Sequence, residues 1–141
     1  MASESTHRTL TVERIAAGEF EAVNSRGGRI VFGTGADGSF TPTELLLIAI
    51  GGCTAIDVDI ITGRRAEPES FEIIVDADKV RDEGGNHLAD IQVTYRIRFP
   101  AGEGGDEARA VLPDAVQRSH DRLCTVGRTV ELATPIETRI E

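Results

Sequence analysis

The sequence predicts an α+β domain of order β-β-β-α-β-β-α-β, and three observations carry that prediction. Two segments, Phe71 to Asp78 and Ile91 to Phe99, alternate apolar and polar residues with the period of half-buried strands. A single long apolar run, Leu45 to Ile61, has the length and continuity of a helix rather than a strand. Later, Ala108, Val111, Leu112, Ala115, Val116 and Leu123 recur at helical spacing. The chain has 141 residues with no internal repeat, low-complexity tract or long linker, so one domain over 1–141 is expected.

The first three strands are read at Thr9–Arg14, Glu19–Asn24 and Arg29–Phe32, with Ala16-Ala17-Gly18 and Ser25-Arg26-Gly27-Gly28 as the turns of a meander. Gly33 to Phe40 is a polar, glycine-bearing loop. The helix then has a clear start: Thr41 as N-cap, Pro42 at the first helical position, and Glu44 at N3. That trio forms a capping box. The helix is expected to run to Thr62, with Gly63 as its stop. Its apolar run approaches the length of a membrane span, but Asp57, Asp59 and the Gly51-Gly52 pair interrupt it. Two carboxylates in a bilayer are costly, so this is read as a core helix with no membrane partner. The two alternating strands are joined through the turn residues Asp82 to Asn86. The second helix starts near Asp106 and extends to Cys124, with Pro113 expected to kink or divide it. Thr134 to Glu141 reads as a short last strand.

Hydrophobic residues make up 40% of the chain, with no Trp, one Tyr and five Phe, so the core must be aliphatic. A formal charge of -9 argues against a nucleic-acid partner, and Arg26, Arg29, Arg64 and Arg65 are too sparse to make a basic patch. Met1 to Arg8 contains no apolar signal core, and a cytoplasmic location with reduced thiols is expected. His7, His87 and His120 show no ligand spacing with the two cysteines, so no metal is expected. No glycine-rich segment has the form of a phosphate loop.

Chemistry concentrates on the cysteines. Cys53 follows Gly51-Gly52, which remove side-chain bulk beside the sulfur; alone, it also fits a small buried hydrophobe. It lies about three turns from the helix start, beyond the reach of the dipole. Asp57, one turn on, works against a thiolate, so an activating cation or donor must come from another segment. Cys124 ends the second helix. His120, four residues earlier, either shares a face with it as a Cys-His pair or is an ordinary exposed histidine.

The motifs Thr41-Pro-Thr-Glu-Leu-Leu-Leu and Gly51-Gly-Cys-Thr-Ala-Ile-Asp-Val, followed by Cys124-Thr-Val, resemble the OsmC/Ohr superfamily, and its YhfA-like branch in particular. The resemblance implies an intertwined homodimer around a long central helix, with a pocket formed between subunits. It implies thiol-dependent reduction of organic hydroperoxides. In that reaction Cys53 attacks the peroxide, Cys124 resolves the product as a disulfide, and an external dithiol restores both without metal, flavin or other cofactor. Reactive members place a glutamate directly after the proline, where this chain has Thr43. Glu44 is the nearest carboxylate, but at about 100° per residue it falls on the helix face opposite Cys53. The arginine that such members use to hold the thiolate has Arg29 as its first counterpart here and Arg26 as its second. An alternative from another class stays open: a dimer that binds a small apolar ligand and keeps its cysteines as core residues.

Overall fold

The computed structural model describes residues 6–141 and confirms the α+β class. Its contacts divide the chain into two compact units, one ending at Leu46 and one spanning Leu47–Glu141.

In the first unit, β1 (Thr11–Ala16), β2 (Glu19–Val23) and β3 (Arg29–Gly33) form an antiparallel sheet of order β1-β2-β3. The register pairs Val12 with Ala22, Arg14 with Phe20, Phe20 with Phe32 and Ala22 with Ile30. Directly paired side chains share a face. One face therefore carries Val12, Phe20, Ala22, Ile30 and Phe32, with Arg14 as its charged member. The Phe20 and Phe32 rings stack on it with centroids 6.2 Å apart. Glu13, Glu21, Val23, Arg29 and Val31 take the other face. Gly33 is required where it stands, because an added Cβ would lie 2.2 Å from the Gly18 carbonyl oxygen.

α1 (Pro42–Gly63) begins in the first unit and continues through the second. The capping box forms as read: the Thr41 N–H donates to Glu44 Oε1 at 2.9 Å, and the Glu44 N–H donates to Thr41 Oγ1 at 3.2 Å. Ile50, Thr54, Val58 and Thr62 form a buried stripe at intervals of four. By contrast, Leu46, Ile48, Ile56 and Ile60 are exposed. Among the described residues, α1 is the helix long and apolar enough to cross a membrane by length and composition, with a mean hydropathy of 1.9.

In the second unit, β4 (Ser70–Asp82) and β5 (Gly85–Arg98) make one long antiparallel hairpin closed by Glu83-Gly84. Both strands run further than the sequence pattern indicated. A bulge between Asp76 and Asp78 shifts the register, and Asp90 turns with φ 52°. Alternation is disturbed there, which is why periodicity alone stopped short.

Three expectations for the C-terminal half need correction. The second helix, α2 (Glu103–Arg118), runs on through Pro113, so of the kink or division expected there it is the division that does not occur. It does not reach Cys124. A π-turn over Ser119–Leu123 follows, and after Cys124 comes α3 (Thr125–Glu131), which the sequence reading did not foresee. Thr134 to Glu141 forms no strand. Pro135 removes a ladder donor, and Ile136 and Ile140 are 91% and 97% exposed with no strand paired to them.

Candidate active site

The second unit brings the two cysteines together. Cys53 projects from α1, half-buried, next to the buried Thr54 and one turn before Asp57. Cys124 arrives from the π-turn. In that turn the Cys124 N–H donates to the carbonyl of Ser119, five residues back, at 2.8 Å. An α-helix would place residues five apart about 140° from one another. The wider turn stacks them instead, so Ser119 and Cys124 are both buried while His120 between them is exposed.

Cys124 then serves as N-cap of α3. Its Sγ accepts the Gly127 N–H at 3.2 Å, the part a serine or aspartate oxygen usually plays. Glycine at 127 leaves room for the sulfur, since a Cβ there would stand 3.3 Å from it. Both thiols are free. Burial pushes the Cys124 thiol above its ordinary range, and a hydrogen bond with Cys53 and the nearby Asp57 charge add to the effect. The Gly127 N–H opposes it. Cys124 therefore stays protonated at neutral pH, which suits a thiol that waits rather than one that attacks.

Behind the sulfurs runs a chain of hydroxyls. Ser119 Oγ lies 2.7 Å from Asp57 Oδ2 and 2.8 Å from Thr54 Oγ1, and Thr54 Oγ1 lies 2.5 Å from the Tyr95 hydroxyl. A carboxylate only accepts, and serine has one proton. The Ser119 proton thus goes to Asp57, Thr54 donates to Ser119, and Tyr95 donates to Thr54. Every hydroxyl proton in this half-buried chain then points toward Asp57. Burial pushes the Tyr95 hydroxyl up and outweighs the Thr54 bond, which pulls it down, while the Asp57 charge adds to the rise, so the hydroxyl stays a donor.

His120 does not pair with Cys124. Its Nδ1 is 3.1 Å from Asp121 Oδ1, and its Nε2 is 3.1 Å from Glu131 Oε1. The Asp121 hydrogen bond first, and the Glu131 charge second, raise its pKa. The other three site candidates lie in the first unit. Arg29 is 63% exposed and ion-paired with Glu21 on the polar sheet face. Glu44 is held by the Thr41 N–H. Arg26 lies in a turn where Asn24 Oδ1 accepts its backbone N–H.

A cavity of about 570 Å³ opens beside Cys124 and is walled largely by aliphatic side chains, Ile50 and Val116 among them, with Thr54, Tyr95, Gln117, His120 and Glu131 as polar members. Cys53 is not part of its lining. Among the described residues, no group of three or more His, Cys, Asp or Glu is placed to hold a metal ion.

Sequence reasoning found both cysteines and Asp57 but missed Thr54, Tyr95 and Ser119 as partners. Thr54 lay inside the helix motif and offered a signal. Ser119 offered none, because its position depends on the π-turn.

A profile of the OsmC-like protein family matches residues 34–139. An uncharacterized protein of Mycobacterium tuberculosis is 28% identical over 132 residues, covering 93% of this chain and 94% of the relative. A hypothetical protein from Aquifex aeolicus VF5 superposes with a TM-score of 0.72 at 23% identity, over 92% of this chain and 91% of its own. The organic hydroperoxide resistance protein OhrB of Bacillus subtilis shares the fold at a TM-score of 0.52 and 15% identity, over 87% of this chain and 90% of its own.

Proposed function

The chain belongs to the OsmC-like family, and within it we propose a two-cysteine thiol peroxidase acting on organic hydroperoxides. The observation that carries the reading is that Ser119, one π-turn before Cys124, is hydrogen-bonded to Thr54 and Asp57 beside Cys53, so two segments remote in sequence bring their thiols to one place. Cys53 attacks the O–O bond; the alcohol leaves with the thiol proton, and Cys53 becomes a sulfenic acid. Cys124, protonated and adjacent, condenses with it, and water leaves as the disulfide closes. An external dithiol, in a reducing compartment such as the cytoplasm, returns both thiols. The cycle requires no bound metal or organic cofactor. Arg29 remains the expected holder of the Cys53 thiolate, and to serve it must leave Glu21.

A second copy is part of the proposal. The exposed Leu46, Ile48, Ile56 and Ile60 of α1, together with Ile136 and Ile140 of the tail, form more apolar surface than a lone subunit leaves uncovered without reason. The hydroperoxide resistance name of the Bacillus subtilis relative agrees with this chemistry.

One observation favours a second reading. The apolar cavity beside Cys124 has the size and lining of a small-ligand site, as a binding module would need. Stopped-flow consumption of cumene hydroperoxide in the presence of dithiothreitol separates the two. The peroxidase reading expects turnover that Cys53→Ser abolishes. Equal, negligible consumption by both proteins would leave the binding module.

A further inference from the structure

The hydroxyl chain behind the thiols ties together the two segments that carry them. Asp57 is one α-helical turn after Cys53, and Ser119 is one π-turn before Cys124. The Ser119–Asp57 bond therefore joins the backbone of one thiol to the backbone of the other, with a sulfur one turn away on each side. Thr54, the immediate neighbour of Cys53, makes a second link to the same serine hydroxyl. Ser119 is fully buried; Thr54 is nearly so and shows one side to the cavity beside Cys124. A cross-link of this kind has a chemical use. A disulfide closes only when the two Cα atoms stand within roughly 7 Å, with the Cβ vectors suitably directed.

We infer that Ser119 and Asp57, with Thr54, are positioning residues that hold the Cys53 and Cys124 sulfurs in register for disulfide closure. The inference rests on the two-cysteine reading for the step it serves: condensation of the Cys53 sulfenic acid with the Cys124 thiol, with loss of water. Neither Ser119 nor Asp57 lines that cavity. They act through the backbone and set how often the sulfurs meet, which is an effective concentration. The direction of the chain matters too. Because Tyr95 and Thr54 supply their protons toward Ser119, the serine proton is committed to Asp57 and the link does not swing to another acceptor.

The test is the thiol–disulfide equilibrium of the full chain in glutathione buffers, which needs no hydroperoxide. Oxidised glutathione takes two electrons from the thiol pair, releasing two reduced glutathiones as the internal disulfide forms. The account expects Ser119→Ala to weaken the Cys53–Cys124 disulfide by about tenfold, the scale of losing orientation between reacting groups. Asp57→Ala should do the same, the double variant should go no further than either single one, and Asp57→Asn, which keeps an acceptor oxygen, should stay within about threefold of wild type. Thr62→Ala separates positioning from general loosening. Thr62 is also fully buried on α1, but its hydroxyl bonds only its own helix, donating to the Val58 carbonyl at 2.8 Å. It should lower thermal stability and leave the equilibrium in place. An unchanged equilibrium in Ser119→Ala, additive effects in the double variant, or an equal loss in Thr62→Ala would each overturn the inference. A wild type that forms the disulfide with glutathione yet consumes no hydroperoxide would sink the peroxidase reading alone and leave the positioning role standing.

Discussion

Cys53 and Cys124 are presented by segments built on different terms. α1 is regular: its cap, its stop and its four-residue burial stripe follow from Thr41, Glu44 and Gly63. The segment from Arg118 to Glu131 changes from α-helix to π-turn to α-helix within a few residues. The first arrangement fixes a thiol by periodicity. The second fixes one by interrupting periodicity, because only the wider turn brings Ser119 and Cys124 to the same buried side. A reactive pair thus joins a rigid member to one whose position depends on a local backbone irregularity and the bonds that support it.

The rigid side can be broken most sharply at its glycines. A Cβ at Gly51 would lie 2.3 Å from Val75 Cγ2, so Gly51→Ala forces α1 away from β4. The expected loss is about 1–3 kcal/mol, the range for overpacking a core, and thermal denaturation measures it. Gly52 has nothing within 4 Å of the same probe position. Gly52→Ala should therefore gain up to about 1 kcal/mol from helix propensity in a lone subunit. A loss at Gly52 instead would indicate that a second copy packs there.

On the irregular side, the smaller effect belongs to His120. Its imidazole bridges Asp121 in the π-turn and Glu131 in α3, on either side of Cys124. Its folded pKa is raised, so its stabilisation is fully present below the unfolded value near 6.5. It is lost as pH rises through the folded value. His120→Gln should therefore lower stability at pH 5.5 and change little at pH 8.5. The difference should stay below about 1 kcal/mol, because the pair is exposed to solvent. Equal losses at both pH values would mean the ring acts by packing alone.

The same contrast explains what was legible in the sequence. Capping residues and apolar periods are local signals, so α1 and the first three strands were readable to within a few residues, and the two hairpin strands in their existence but not their full length. The family motif around Cys53 was equally local. Ser119 was not readable, because its place beside Asp57 follows from a π-turn that no residue in Ser119 to Leu123 announces. α3 was hidden for a related reason: its N-cap is a cysteine, a residue type not read as a cap. The tail misled in the opposite direction. Thr134 to Glu141 read as a short strand, but a strand-like segment alone supplies no partner. Glu44 shows a signal with two meanings, of which the capping box is the one formed.

The most direct measurement concerns the two sulfurs themselves. The reduced protein is treated with one equivalent of cumene hydroperoxide, digested without reductant and mapped by mass spectrometry. The account predicts an intramolecular Cys53–Cys124 disulfide in the wild type and a sulfenic acid trapped on Cys53 in Cys124→Ser. Both thiols recovered free, or oxidation that begins on Cys124, would contradict it.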